Sequence, residues 1–285
     1  MRRGKGVLGM KKEPTAAGAA MKKAPYAKKG TLTVYLVLRA LVIFALVRSA
    51  LRFDFENVFL CGLTLVLMLM PSVFARRLNI ELPGTLEVII LLFIFAAEIL
   101  GELNSFYIRV PNWDTMLHTL NGFLCAAIGF ALVDLLNRSE HFSFKLSPVY
   151  LAIAAFCFSM TVGVLWEFFE YSGDRFLGLD MQKDTIVQSI STVELDETRS
   201  NKTVKIDGIS DVILVLEDGS QRSLGLGGYL DIGINDTMKD LMVNFVGAVV
   251  FSVIGYFYVK EKGKGRFAAR FIPKVLRRGA QADGD

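Results

Sequence analysis

Apolar residues occur along this chain in six runs, each long enough to cross a bilayer as a helix of about 20 residues. Short polar segments separate most of the runs, and one long polar segment precedes the last. The predicted spans cover residues 31–52, 57–74, 84–106, 113–136, 147–172 and 236–259. Since 53% of the residues are hydrophobic, composition agrees with the pattern. The sequence therefore predicts an all-α polytopic membrane protein, a six-helix transmembrane bundle with a small β-hairpin-containing extracytoplasmic loop.

The spans divide the chain into five regions. They are a basic cytoplasmic arm at 1–30, spans one to five at 31–172, a loop at 173–235, span six at 236–259 and a basic tail at 260–285. Nine Lys or Arg residues and one acid occupy the arm, which is expected to be disordered. Because basic segments stay in the cytoplasm and six spans return the chain to its starting side, both termini are expected to be cytoplasmic. The predicted location is a bacterial plasma (inner) membrane, crossed several times.

The basic ends also predict partners. Both can bind anionic membrane lipid, and the segment Phe267–Leu276, which mixes apolar and basic residues, is expected to lie along the inner membrane surface. No nucleic-acid partner is expected, because no aromatic platform or binding fold accompanies the basic arm.

The loop at 173–235 is expected outside the cytoplasm. From 173 to 240 the chain carries thirteen acids and seven bases, which suits the side that avoids positive charge. Apolar or alternating runs at 203–206, 211–217 and 222–224, with Asp218-Gly219 between the last two, indicate a β-hairpin. A hairpin alone is marginal in water, so the loop at 185–230 is a candidate contact for a homo-oligomer or an envelope partner. A tolerated surface insertion explains it equally well.

Acidic residues share helix faces in three of the spans. Glu167, Glu170 and Asp174 are spaced i, i+3 and i+7 at the end of span five. Asp114 and His118 near the start of span four, and Asp236 and Asp240 near the start of span six, are each spaced i and i+4. Given the predicted directions of these spans, all three faces lie at one depth below the outer surface. We therefore expect one pocket that opens away from the cytoplasm.

Crowded carboxylates repel each other, and a bound cation removes that repulsion. Carboxylates with one imidazole suit Mg²⁺, Mn²⁺ or Ca²⁺, and the imidazole also admits Zn²⁺. The predicted metal ligands are Asp114, His118, Glu167, Glu170, Asp174, Asp236 and Asp240. Glu167 and Glu170 are also the catalytic candidates. Acids near a helix C-terminus interact unfavourably with the helix dipole, so helix stability does not explain these two and a functional role does. Helix capping accounts equally well for Asp114 and Asp236, and a lone histidine is more often structural.

An ordered set of motifs resembles the YjdF-like bacterial inner-membrane proteins. The set comprises Val110-Pro111-Asn112-Trp113-Asp114 with His118 and Gly122, Trp166-Glu167-Phe168-Phe169-Glu170 with Asp174, and Asp236-Thr237-Met238-Lys239-Asp240 with Gly247-Ala248. The order of His, Glu and Asp residues across successive spans is more loosely similar to VanZ-like membrane proteins. These resemblances imply a membrane location and no particular reaction.

Three functions remain open from the sequence. The first is a divalent-metal protein that acts on an envelope lipid or lipid-linked substrate. The second is a cation- or proton-coupled transporter that uses the acids as a relay, although the inner halves of spans four to six offer almost no ionisable groups. The third is a non-catalytic envelope scaffold. Nucleotide-driven chemistry is not expected, because no phosphate-binding glycine loop is present.

Overall fold

The computed structural model describes residues 29–77, 80–137, 146–261 and 267–275. The helices are α1 (Lys29–Leu51), α2 (Phe55–Leu67), α3 (Met70–Arg77), α4 (Gly84–Phe95), α5 (Phe106–Arg109), α6 (Trp113–Asn137), α7 (Pro148–Leu177) and α8 (Ile234–Lys260). Most of the predicted basic arm and much of the predicted tail lie outside the described residues. The prediction of a mostly helical membrane protein is confirmed, and within the described ranges five helical stretches are long and apolar enough to span.

The third predicted span differs from the other five. It forms α4, which continues directly into a π-helix at Ala96–Leu103. Asn104 ends this π-helix by donating its side-chain Nδ2–H to the carbonyl of Ile99 at 2.6 Å. Ser105 then takes a left-handed conformation with φ of 57°, which turns the chain into α5. The six-helix count therefore stays a prediction.

The long helix α7 has sequence-encoded ends. Ser147 caps its start by accepting the backbone N–H of Tyr150 at 3.3 Å, and Pro148 occupies the first turn. Gly178 ends it in a left-handed conformation with φ of 67°, which glycine adopts without steric cost. The helix ends five residues later than the predicted span, so Asp174 belongs to it and not to the loop.

The helices form two bodies with separate cores. In one, α6, α7 and α8 pack around fully buried Phe130, Leu151 and Phe251. In the other, α1, α2 and α4 pack around Val42, Cys61 and other buried residues. We call the end at which α6 and α8 begin and α7 ends the loop side, and the opposite end the tail side.

The chain after α8 returns to the core of the three-helix body. Phe271 and Ile272 are buried there, and the Phe271 ring packs edge-to-face against Phe123 at 5.1 Å between centroids. The strand β8 (Lys274–Val275) then pairs antiparallel with β1 (Ile80–Glu81). The expectation that Phe267–Leu276 lies along the membrane surface is therefore wrong for these two residues. Their apolar side chains fill space beside α4 and α6 that the amphipathic pattern did not reveal.

Helices α6 and α8 touch along their backbones. A Cβ atom at Gly247 would lie 2.8 Å from the backbone nitrogen of Phe123 and closer still to the carbonyl oxygen of Thr119. A Cβ atom at Gly122 would lie 2.8 Å from the carbonyl carbon of Asn244. Small residues permit such close packing of membrane helices. This contact sets the distance between the polar faces of α6 and α8.

Between α7 and α8 the chain forms three antiparallel strand pairs. They are β2 (Ile186–Val187) with β7 (Tyr229–Leu230), β3 (Ser189–Thr192) with β4 (Val204–Asp207), and β5 (Ile213–Val215) with β6 (Gln221–Ser223). The last pair confirms the predicted hairpin. Gly219 lies in its turn with φ of 80°, and Asp218 accepts the backbone N–H of Ser220 at 2.9 Å.

Candidate functional site

His118 lies between two carboxylates from different helices. Its Nε2 atom is 3.4 Å from Asp114 Oδ1, one helical turn earlier on α6. Its Nδ1 atom is 3.9 Å from Glu167 Oε1 on α7. Both ring nitrogens therefore face acids, and the imidazole joins the polar faces of α6 and α7.

A third carboxylate reaches the histidine from α8. Asp114, His118 and Asp240 each offer a ligand atom, and these three atoms lie within 4.8 Å of one another. Asp240 is 1% exposed, and His118 and Glu167 are 9% and 5% exposed, whereas Asp114 is partly accessible. The structure thus brings together four of the seven predicted ligands. We call Asp114, His118, Glu167 and Asp240 the acid–histidine centre.

The acid–histidine centre contains unpartnered buried oxygens. Asp114 Oδ2, Glu167 Oε2 and Asp240 Oδ1 are shielded from solvent and accept no hydrogen bond from the residues that the structure describes. No other described residue has a buried carboxylate oxygen in this condition. An ionised carboxylate without a partner is costly to bury, so a proton or a cation must offset that cost.

Glu170 is buried one turn beyond Glu167 on α7. Its Oε1 atom accepts a hydrogen bond from the indole N–H of Trp166 at 2.8 Å. Glu170 and Glu167 are near enough to interact electrostatically. Glu170 thus lies beside the acid–histidine centre, with one of its oxygens already engaged.

The other two predicted ligands, Asp174 and Asp236, bind the backbone of the loop that connects α7 to α8. Asp174 accepts the backbone N–H groups of Met181 at 2.5 Å and Gln182 at 2.8 Å, through both of its oxygens. Asp236 accepts the N–H of Lys183 at 2.8 Å. These contacts hold residues 179–183, which we call the strap, between the end of α7 and the start of α8.

The strap is fitted closely at this position. A Cβ atom at Gly173 would lie 2.8 Å from Met181 Sδ, and one at Gly233 would lie 2.7 Å from Gln182 Cβ. The side-chain amide of Gln182 donates to the hydroxyl of Thr237. Both Gln182 and Thr237 interact with Glu167, so the strap adjoins the acid–histidine centre. Sequence reasoning missed Gln182, because no helical spacing links a loop residue to the acids.

Amides line the interface below the centre. Asn121 of α6 donates to Asn244 Oδ1 of α8 at 3.4 Å, and Asn244 Nδ2 lies 3.6 Å from the sulfur of Met160 on α7. Asn244 is fully buried, and Gly163 leaves space for its amide, since a Cβ atom there would lie 2.6 Å from Nδ2. The three helices are thus joined by polar contacts directly beneath the acids.

The interface becomes apolar further toward the tail side. Phe130 and Phe251 are fully buried with ring centroids 6.1 Å apart, and Ala155 of α7 is buried in the same core. The next buried acid on α6 is Asp134, sixteen residues after His118 and therefore about 24 Å away along the helix. An apolar layer separates the acid–histidine centre from the tail side.

Tyr107 of α5 is a further residue that sequence reasoning missed. Its ring lies on the π-helix, where a Cβ atom at Gly101 would be 2.8 Å from Cζ. The phenol interacts electrostatically with four carboxylates, including Asp114 and Glu102. Burial, with those acids, raises the pKa of Tyr107, so the hydroxyl stays protonated and is a potential donor. A single tyrosine in a turn gives no spacing signal from which this position could be predicted.

The fold and the buried acids define a polytopic helical membrane protein. The chain belongs to the family of predicted membrane proteins DUF2238, whose sequence profile matches residues 33–261. This family is YjdF-like, which agrees with the resemblance in the motifs. The looser similarity to VanZ-like proteins has no support from the comparisons.

A curated relative comes from Thermotoga maritima and is described as an uncharacterized protein. It is 25% identical to this chain over 107 residues, which are 38% of this chain and 53% of the relative. The chain thus matches only about half the length of that relative. No solved structure matches this chain.

Proposed function

We propose that this protein binds a divalent metal ion at the acid–histidine centre and acts there on a lipid or lipid-linked substrate of the envelope. The observation that carries the proposal is the convergence of three carboxylates, one from each of three helices, around a single histidine, where each carboxylate also has a buried oxygen without a partner among the described residues. A divalent cation offsets the cost of burying these charges together.

The donor set favours particular ions. Asp114, His118 and Asp240 would hold the ion through two carboxylates and one imidazole, and their separation of 4.8 Å or less suits metal–ligand bonds of about 2.0–2.6 Å. Carboxylates favour Mg²⁺, Mn²⁺ or Ca²⁺, and the imidazole favours Zn²⁺. Asp174 and Asp236 are weaker candidates as ligands than the sequence indicated, because their oxygens bind the strap.

Glu167 is the better-placed general base. Its Oε1 atom faces His118 at 3.9 Å, while the buried Oε2 has no partner among the described residues and can accept a proton from a water molecule held within the centre. A bound divalent ion supplies Lewis-acid chemistry at a carbonyl or phosphoryl oxygen. Glu170 is the second catalytic candidate, with its Oε1 engaged by Trp166.

A lipid substrate is supported by where the acid–histidine centre lies. The strap binds the end of α7 and the start of α8, whereas Asp114 on α6 is the most accessible member of the centre. The exposed aromatic side chains around Glu167, including Trp166, Phe168 and Phe169, are of the type that line a membrane interface. The excess of basic residues at both ends supports an orientation with the loop side outside the cytoplasm and both termini inside, and we propose a bacterial inner membrane as the location.

A coupled transporter is less well supported. Transport requires a route for the ion or proton across the whole membrane, and ionisable groups usually mark such a route. In the described part of the three-helix body, buried Phe130, Phe251 and Ala155 occupy the interface beyond Asn244. A scaffold, in turn, has no need for acids buried without partners.

Elemental analysis of the purified protein tests metal binding. We expect stoichiometric divalent metal in the wild type and its loss in His118→Ala and Asp240→Asn. The matched control is Glu87→Gln, which changes another buried acid, on α4, outside the centre. Metal absent from the wild type, or retained in both centre variants, would contradict the proposal.

Product analysis by mass spectrometry, after reconstitution into bacterial lipid vesicles, tests the catalytic part. Glu167→Gln is expected to retain metal but to release no hydrolysed lipid product, whereas the wild type does. Equal product from the wild type, from Glu167→Gln and from empty vesicles would leave a metal-binding protein without this activity.

A further inference from the structure

The hairpin of β5 and β6 exposes a continuous apolar stretch in an otherwise polar loop. Ile213 and Val215 are 60% and 69% exposed, and Leu214 and Leu216 are exposed on the opposite face of the hairpin. Adjacent side chains in a strand point to opposite faces, so neither face is covered. Exposed apolar strands are costly in water and favour pairing with another chain.

The backbone of β5 is also unpaired along one edge. Leu216 donates its N–H to Ser220, and the carbonyl of Val212 accepts from Leu224, so the even-numbered residues of β5 face β6. By the alternation of an antiparallel ladder, the N–H and C=O groups of Ile213 and Val215 point away from β6. No described residue pairs with them, and β5–β6 forms a sheet of two strands only.

Acids flank this edge on both sides. Asp211 precedes β5, and its two oxygens accept from the backbone N–H groups of Val212 and Gly225 and from the hydroxyl of Ser223, so it adds negative charge beside this edge while its hydrogen bonds stay within the hairpin. Glu217 and Asp218 follow β5 directly. The edge therefore combines four free backbone groups and two apolar side chains with a negative charge at each end.

We propose that the free edge of β5 binds an extended segment of a partner protein as a third strand. Main-chain hydrogen bonds to Ile213 and Val215 provide the pairing, as in other complexes formed by strand addition. Opposite-charge pairs across strands are stabilising, so the partner segment carries basic residues opposite Asp211 and Glu217. In a seven-residue partner segment, positions 1 and 7 are therefore basic and positions 3 and 5 are apolar.

Charge and hydrogen bonding argue against two other occupants. A second copy whose free Ile213 and Val215 groups pair with those of the first has its twofold axis at Leu214, and this register would place Asp211 opposite Glu217 of the other copy, where like charges are destabilising. Lipid would leave the N–H and C=O groups of Ile213 and Val215 without partners. A basic extended segment supplies both the opposite charge and the backbone hydrogen-bond partners.

The test uses the full chain in nanodiscs of zwitterionic lipid and a fluorescent peptide, Lys-Thr-Val-Thr-Val-Thr-Lys, with blocked ends. Fluorescence anisotropy is expected to show saturable binding with a Kd below about 1 mM. Val215→Pro removes an N–H from the free edge and is expected to weaken binding at least about tenfold. Gln221→Pro makes the same change on the opposite edge of the hairpin and is expected to bind as the wild type does.

Charge reversal provides a second readout. A peptide with Glu in place of both Lys residues is expected to bind the wild-type protein more weakly than the Lys peptide does. In Glu217→Lys, the difference in affinity between the two peptides is expected to become smaller or to change sign. The proposal is overturned by absent binding, by equal binding to Val215→Pro, or by equal binding to empty nanodiscs. Dimers in mass photometry that dissociate in Val215→Pro, without peptide binding, would assign the edge to a second copy instead.

Discussion

The close contact between α6 and α8 leads to a prediction for Gly247→Ala. The added Cβ atom would lie 2.8 Å from Phe123 N and closer still to Thr119 O. Ordinary contacts between heavy atoms are about 3.5–4.0 Å, so the helices must separate by roughly 1–2 Å. Both obstructing atoms belong to the backbone and cannot move by a change of rotamer.

Two consequences follow from this separation. Overpacking costs about 1–3 kcal/mol, and the backbone clash places Gly247→Ala near the upper end. About 3 kcal/mol corresponds to a change of roughly 150-fold in the folding equilibrium. In addition, α8 would carry Asp240 away from His118 by more than the tolerance of about 0.2 Å that metal sites allow. Gly247→Ala should therefore lose both stability and metal.

Unfolding by titration with sodium dodecyl sulfate, followed by the fluorescence of Trp113 and Trp166, measures the stability. Gly62→Ala is the matched control, because no atom of the described residues lies within 4 Å of a Cβ at that position in α2. We expect Gly62→Ala to be neutral or stabilising by about 1 kcal/mol through helix propensity. The reasoning is refuted if Gly247→Ala unfolds at the same midpoint as Gly62→Ala and retains its metal.

Three further predictions concern other parts of the molecule. Phe271→Ala should destabilise the protein by about 3–5 kcal/mol in the same titration, while Phe267→Ala, at an exposed position, should have little effect. Asp174→Asn should free the strap, so that limited proteolysis cleaves the chain near residues 179–183 faster than in the wild type; an unchanged cleavage rate would argue against this anchor. The side-chain hydroxyl of Thr198, and then backbone N–H groups, lower the pKa of Asp196. The stabilisation of the loop by the Asp196 carboxylate is therefore present above about pH 4 and is lost as the pH falls through the lowered pKa that Asp196 has in the folded protein. Amide hydrogen exchange at residues 193–202 should become faster over that fall in pH in the wild type but not in Asp196→Asn.

Helical spacing was sufficient to predict which faces of three helices carry acids. The i and i+4 spacing of Asp114 and His118, and the placement of Glu167 and Asp240, follow from the period of the helix and the direction of each span. The same reasoning could not separate Asp240 from Asp236, since both lie on one face of α8. Their difference comes from the strap, whose backbone supplies the N–H group that Asp236 accepts.

Two features of the fold could not be predicted for other reasons. The π-helix at Ala96–Leu103 depends on packing against Tyr107 and on the bond from Asn104 to Ile99, and no residue pattern in that apolar run distinguishes it from an α-helix. Phe271 and Ile272 lie among basic residues, which resembles an interfacial segment, but their burial depends on a gap between distant helices. Local periodicity carries no information about such gaps.

The pairing of β2 with β7 means that the chain leaves and re-enters the membrane body through neighbouring strands. Ile186 lies opposite Leu230 and Val187 opposite Tyr229, so the two ends of the segment that joins β2 to β7 are about 5 Å apart. A two-residue turn could join those ends in an engineered protein without moving α7 or α8. The forty or so residues between β2 and β7 therefore form a separate structural unit. Evolution can shorten, lengthen or exchange this unit with little effect on the stability of the helices that carry the acids.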